Sequence, residues 1–268
     1  MNNIALGRYI PLDSVMHKID PRFKLIGMFI MLVAIFIPAG WIGYGFLAVT
    51  LLLTLIVSKL KLKFILRSFK PMLFMMIFLL IINILMLKEG EVLFRVGSFI
   101  VYSQALSQTA YIAIRLILMI TVTTILTATT KPLDMTLGIE DLLKPLVRFG
   151  VPAHEIALMI SIALRFIPTL IEEAQRIMKA QSSRGVDFDE GSFREKVTGI
   201  LSLIVPLFVS SFQRAEDLAE AMEARGYAPG LQRTRYKQLK IVTRDYVFLG
   251  TVIGVLVLTI LILLYAKV

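Results

Sequence analysis

The sequence predicts an all-α integral membrane protein of about five transmembrane helices, with a cytoplasmic arm of long amphipathic helices set between the fourth and fifth. Three observations carry this. Of 268 residues 57% are hydrophobic and 18% charged. The apolar residues come in long blocks rather than the short alternation of barrel strands, and a helix needs roughly 17 to 25 of them to cross a bilayer. The net charge of +10 is concentrated beside the apolar blocks, which suits an anionic membrane face and not a nucleic-acid groove.

The chain is uncharged from Leu25 to Ser58, long enough for two spans, with Pro38, Ala39, Gly40 and Trp41 marking the turn between them. A basic loop with Lys59, Lys61, Lys63, Arg67 and Lys70 and no acid follows. A third span is expected over 71–87, then a charge-balanced loop with Lys88, Glu89, Glu91 and Arg95, then a fourth span over 105–130 that contains Arg115. A last uncharged run covers 246–266. Arg8, Lys18, Arg22 and Lys24 before the first span agree with the basic loop after the second. By the positive-inside rule the N-terminus and 131–245 are cytoplasmic and the C-terminus is outside. The organisation expected is a four-span bundle over 1–130, a cytoplasmic region over 131–245 and a final span in 246–268. The first 22 residues are polar and charged, unlike a cleaved signal peptide, so the N-terminus is expected to be retained.

Two stretches inside the middle region, 156–171 and 197–213, are apolar enough to pass for spans. If both crossed, Arg176, Lys179, Arg184, Arg194 and Lys196 would all lie outside, against the orientation rule, so both are placed at the inner surface. Each carries an apolar stripe at alternating steps of three and four. One runs Ile160, Leu164, Ile167, Ile171, Ala174 and Met178. The other runs Leu201, Val205, Phe208, Phe212, Ala215, Ala219 and Met222. Two such stripes are expected to bury each other as crossing helices. Their apolar first halves should start against lipid or a membrane partner, and their charged second halves should end in water. Pro168 and Pro206 either bend these helices or stand near their starts.

Both helices end alike, at Ser183-Arg184-Gly185 and Ala224-Arg225-Gly226. A glycine past the last turn takes the left-handed cap and leaves the preceding side chain at an exposed tip. An arginine there also suits the negative end of the helix dipole. Neither arginine has an acid three or four residues earlier, where Gln181 and Ala180, or Met222 and Ala221, stand. Each guanidinium is therefore free to bind a carboxylate or carbonyl of a partner.

The remaining polar residues point to no catalytic centre. Without cysteine there is no disulfide, zinc finger or thiol nucleophile. His17 and His154 stand apart and suit capping or surface contacts, not a metal site. Asp187, Asp189 and Glu190 before Gly191 form a solvated loop, and the methionines are packing residues. Arg115 is costly in lipid and is either functional or held by a partner such as Asn83 or by water. There is no phosphate loop ending in Gly-Lys-Ser or Gly-Lys-Thr, so any ATP hydrolysis belongs to another chain. An intramembrane enzyme lacks inward acids and bases, and a self-sufficient carrier would show paired interrupted spans.

Several ordered blocks, GRYIPLDSVMHKIDPRFKL, TATTKPLDMTLGIEDLLKPL, VPAHEIALMISIALRFIPTLIEEA and the two Arg-Gly tips, resemble the transmembrane subunit of energy-coupling factor transporters, EcfT, in the CbiQ-like family. The resemblance covers nearly the whole chain. It implies a non-catalytic scaffold in a prokaryotic plasma membrane. Such a scaffold joins two ABC-type ATPases, which bind the ATP and Mg, to a separate membrane subunit that captures a vitamin or similar micronutrient. It also implies that Ser183, Arg184, Gly185, Ala224, Arg225 and Gly226 dock on the ATPases. The stripe residues Leu164, Ile167, Ile171, Leu201, Val205 and Phe208 would then meet the capture subunit. The first motif has serine where the family often has alanine. A subunit dedicated to cobalt or nickel is a close alternative.

Overall fold

A computed structural model describes residues 9–96, 99–188, 191–228 and 238–266. Arg8, Asp189 and Glu190 lie outside the described residues. Eight helices run α1 (Pro21–Phe36), α2 (Gly40–Ser58), α3 (Leu62–Met86), α4 (Ser103–Thr129), α5 (Pro132–Leu143), α6 (Ala153–Ser183), α7 (Phe193–Ala224) and α8 (Thr243–Ala266). An antiparallel pair of strands, β1 (Val92–Val96) and β2 (Phe99–Tyr102), joins α3 to α4 where only a loop was expected. Six helices, α2, α3, α4, α6, α7 and α8, are long and apolar enough to cross a membrane by length and composition alone. At 16 residues α1 is about 24 Å long, short of a hydrocarbon core of roughly 30 Å.

The chain divides into two compact units, one holding Gly7–Asp141 with Leu239–Val268, the other, among the described residues, Leu142–Gln238. In the first unit α4 packs against α1, α2 and α3, and α8 against α1 and α2. The core is apolar and centres on Ala34, Ile35, Tyr44 and Leu47, all buried. Buried threonines on α4 spend their hydroxyls on their own helix: Thr121 donates to Ile117 at 2.7 Å and Thr129 to Ile125 at 2.8 Å.

Polar contacts gather the start of α1, the end of α4, α5 and the start of α8 at one end of this unit. The N–H of Ile10 donates to the carbonyl of Ala128 at 3.0 Å, and Lys24 Nζ to that of Thr129 at 2.9 Å. Arg22 pairs with Asp20 at 2.8 Å and with Asp141 at 3.3 Å. His17 bridges Ser14 and the carbonyl of Ile10, at 2.7 and 3.0 Å. Partial burial lowers its pKa below the ordinary histidine value, and both of its ring nitrogens are bonded within the chain.

Because α4 ends and α8 begins on the same side, the chain between them crosses a bilayer an even number of times, none or two. Placing both α6 and α7 at the surface, or passing both through the bilayer, satisfies that parity.

Two details differ from the sequence reading. The basic stretch after α2 is mostly helical, since α3 starts at Leu62 and carries Lys63, Arg67 and Lys70. Those three lie at steps of four and three on one exposed face. Arg115 is held by Tyr44 rather than Asn83. Its Nε donates to the Tyr44 hydroxyl at 2.7 Å, and its guanidinium lies 5.4 to 6.0 Å from the ring centres of Tyr111, Phe36 and Tyr44. Asn83 donates instead to Thr109 at 2.9 Å.

Candidate coupling site

The second unit is built on α6 and α7. Ser192 starts α7 with a reciprocal cap. Its side chain accepts from the Glu195 N–H at 3.4 Å, and the Glu195 carboxylate accepts from the Ser192 N–H at 2.6 Å. The Ser192 backbone and side-chain hydrogen bonds hold the Glu195 carboxyl below its ordinary pKa.

The two helices pack antiparallel. Gln181 near the end of α6 meets Ser202 near the start of α7. Arg214 meets Thr169 and Glu173 in the middle, each at 3.2 Å. Ile162, Phe166 and Leu170 share a groove with Leu218 and Met222 at the other end. Both prolines lie inside their helices rather than at the starts. Pro206 has no N–H to give to the carbonyl of Ser202, four residues back. That carbonyl accepts from Gln181 Nε2 at 3.4 Å instead, so α6 supplies a donor that α7 lacks.

The tips are nearly superimposable in backbone conformation. Arg184 has φ −91° and ψ 7°, Arg225 φ −88° and ψ 9°. Gly185 and Gly226 follow with φ of +88° and +72°. In the first tip the N–H groups of Gly185 and Val186 donate to the carbonyls of Ser182 and Gln181 at 3.0 and 3.1 Å. In the second those of Gly226 and Tyr227 donate to Glu223 and Met222 at 2.8 and 2.9 Å. Both are Schellman caps, closed by a glycine in the left-handed region.

Ser183 donates its hydroxyl to the Lys179 carbonyl at 3.0 Å, so its side chain folds back on α6. Ser183, Arg184, Gly185, Ala224, Arg225 and Gly226 are all exposed. Among the described residues neither Arg184 nor Arg225 makes a side-chain hydrogen bond or ion pair.

The expected burial of one stripe against the other is not what the structure has. The α7 face turned to α6 carries Leu203, Leu207, Ser211, Arg214, Leu218 and Met222, all half-buried. Leu201, Val205, Phe208 and Phe212 are 51%, 56%, 61% and 61% exposed. With Ile200, Ile204 and Val209 they form a broad bare apolar face. On α6, Ile167 is exposed, while Leu164 and Ile171 are half-buried. Helices that meet lipid or a membrane partner turn large apolar groups outward and keep smaller or polar ones between them. The first half of the α7 stripe marked an outward face, while its end, with Ala215, Ala219 and Met222, lines the groove shared with α6. The Glu173–Arg214 pair beneath it joins two charges the sequence separates by 41 residues, and only the matched spacing of the Arg-Gly tips hints at it.

No group of three or more metal-ligating side chains occurs among the described residues.

Residues 13–236 match the model of the CbiQ family, described as cobalt transport protein. The chain is 43% identical over 268 residues to the energy-coupling factor transporter transmembrane protein EcfT of Lactococcus lactis subsp. cremoris, with both chains fully covered. The EcfT of Bacillus subtilis is 43% identical over 245 residues, covering 91% of this chain and 92% of the relative. The EcfT of Streptococcus thermophilus is 44% identical over 267 residues, again with both fully covered. A multi-pass helical chain with this extent of likeness belongs to the CbiQ family, as a transmembrane component of the energy-coupling factor transporter type, EcfT.

Proposed function

We propose that this chain is the scaffold that couples two ABC-type ATPases to a separate membrane-embedded capture subunit, so that ATP hydrolysis on the partners drives uptake of a vitamin or similar micronutrient. The observation that carries this is the pair of tips. Each presents, on the same cap, an arginine unpaired among the described residues, and each lies eleven residues beyond the Glu173–Arg214 contact, on opposite arms of an antiparallel pair. At 1.5 Å per residue the two guanidinium-bearing caps stand up to roughly 33 Å apart. That spacing suits two separate sockets rather than one.

In this reading 1–130 and the last span from 246 form the bundle in a prokaryotic plasma membrane, and 131–245 is the cytoplasmic arm. Arg184 and Arg225 enter grooves of the ATPases, flanked by Ser183, Gly185, Ala224 and Gly226, whose small size lets the backbone approach the partner. ATP and Mg are bound by those partners. The exposed apolar face with Leu201, Val205 and Phe208, together with Leu164, Ile167 and Ile171, meets the capture subunit. Closure of the ATPases pulls the two caps and moves that face. Coupling requires contacts that differ between the open and closed ATPase states, since equal binding to both would transmit nothing.

The family description, cobalt transport protein, favours a second reading in which the complex is dedicated to cobalt or nickel. The full-length relatives named EcfT favour the shared type. Purification from native membranes separates the two, since several different capture subunits accompany the shared type and one the dedicated type. Coupling itself is tested with Arg184→Glu and Arg225→Glu, alone and together, by recovery of the ATPases and ATP-driven uptake. Wild-type uptake in the double variant, or labelling of either tip from outside intact cells, overturns the assignment.

A further inference from the structure

We propose that the first unit holds an anionic phospholipid in a slot between α1, α2, α4 and α8. The slot has a volume of about 490 Å³ and is bounded at one end by Lys24 and Arg244. Along α8 it reaches from Arg244 to Val255, eleven residues, or roughly 16 Å.

Its body is apolar even where the sequence is not. Thr50, Thr54 and Thr251 line it, but their hydroxyls donate to carbonyls of their own helices, Phe46, Thr50 and Phe248, at 2.9, 2.9 and 2.7 Å. The wall therefore offers no hydroxyl hydrogen to a polar guest. Leu53, Val57 and Val247 on its margin are about half exposed or more, so the slot opens sideways, where acyl chains are.

The charged end is different. Lys24 is only 3% exposed, and its ammonium donates to the Thr129 carbonyl at 2.9 Å and to the Thr130 hydroxyl at 3.2 Å. An ammonium has three hydrogens, so one remains. Among the described residues no carboxylate lies within ion-pair distance of it, although buried cations are ordinarily paired. Arg244 is exposed and makes no hydrogen bond or ion pair among the described residues. Asp134, Asp20 and Asp245 act on Lys24 only from beyond ion-pair distance. Two cations without a direct ion pair among the described residues thus stand at the mouth of a lipid-facing apolar slot, and they complement one class of molecule, an amphiphile with an anionic head and an acyl tail.

The site is independent of the arginine caps and of any ATPase, so its test leaves the coupling proposal untouched. The full-length chain, purified with the subunits that accompany it, is delipidated and offered phosphatidylglycerol or phosphatidylcholine, and retained lipid is counted by native mass spectrometry. One phosphatidylglycerol is held in preference to phosphatidylcholine. Arg244→Gln lowers its retention roughly fivefold, the worth of one basic residue at an anionic membrane surface. Thr54→Phe fills the slot and removes the bound lipid, with an unchanged helical spectrum. Should that variant not fold, the exposed Arg244→Gln still decides the matter. Equal retention of both lipids, displacement of phosphatidylglycerol by inorganic phosphate, or undiminished retention in both variants overturns the proposal.

Discussion

Arg214 on α7 pairs with Glu173 on α6 at 3.2 Å, and the 41 residues between them are also the interval between Arg184 and Arg225. The equivalent positions of a weak internal repeat thus touch each other at the middle of the helix pair. Each capped tip is the same distance from that pivot, in opposite directions. Pro168 and Pro206 lie outside the stretches from pivot to tip. Those stretches are uninterrupted helix, suited to transmit displacement.

The pivot predicts a charge-reversal result. Side chains of this pair are about a quarter exposed, so either single reversal, Glu173→Arg or Arg214→Glu, costs only about 0.5 to 1 kcal/mol of stability. Each nevertheless places two like charges at the fulcrum. Uptake should fall in each single variant and recover in the double exchange while ATPase recovery stays constant throughout. Equal loss in the double variant would mean that the contact is not the pivot.

The caps predict an effect of glycine that is separable from that of arginine. Gly185 and Gly226 have φ of +88° and +72°, with open space where a Cβ would stand. Alanine at either position is therefore opposed by backbone strain alone, about 1 to 2 kcal/mol, and relief comes by unwinding the tip. Gly185→Ala and Gly226→Ala should weaken ATPase recovery with both arginines in place. Binding equal to that of the parent chain would show that the cap conformation does not matter.

The long apolar helices α2, α3, α4 and α8 and the two long arms could be read from the sequence because length and apolarity are local properties. The start of α3 could not, because Lys63, Arg67 and Lys70 look like a loop until their placement on one helical face is known. The stripe on α7 was visible, yet the way it faces was not. Periodicity locates a face without saying whether protein or lipid covers it, and Leu201, Val205, Phe208 and Phe212 turned outward. The partner of Arg115 lies 71 residues away on α2, a distance no pattern along the chain encodes.

That pairing predicts an inverted order of damage. Tyr44 is 1% exposed, and its hydroxyl accepts from Arg115 and donates to the Ile35 carbonyl at 3.3 Å. Tyr44→Phe leaves a guanidinium N–H and a carbonyl without partners in a low-dielectric site, a cost of about 2 to 4 kcal/mol. Arg115→Met removes the charge with its desolvation penalty and leaves Tyr44 bonded to Ile35, so it should cost less. Thermal unfolding of the purified chain in detergent orders the two. A larger loss from Arg115→Met would mean that its contacts with the three rings outweigh the cost of burying the cation.

Asp245 predicts a second effect of a single-atom change. It is 1% exposed and sits in the first turn of α8. One carboxylate oxygen accepts from the Asp20 N–H at 2.9 Å and the other from the Val242 N–H at 2.7 Å. Asp20 in turn accepts from the Arg22 N–H at 2.9 Å as the cap of α1. One side chain therefore joins the starts of the first and last helices of the unit across 225 residues of sequence. Its negative charge lies at the positive ends of both helix dipoles. Asp245→Asn keeps the shape but turns an NH2 donor toward one of two N–H donors, leaving at least one buried N–H unpaired. That costs about 1 to 3 kcal/mol for the lost acceptor, with part of the dipole stabilisation in addition. The loss should appear as a lowered unfolding midpoint and as faster hydrogen exchange at the first turns of α1 and α8 together. Exchange that rises at α8 alone would show that the Asp20 bond contributes nothing to α1.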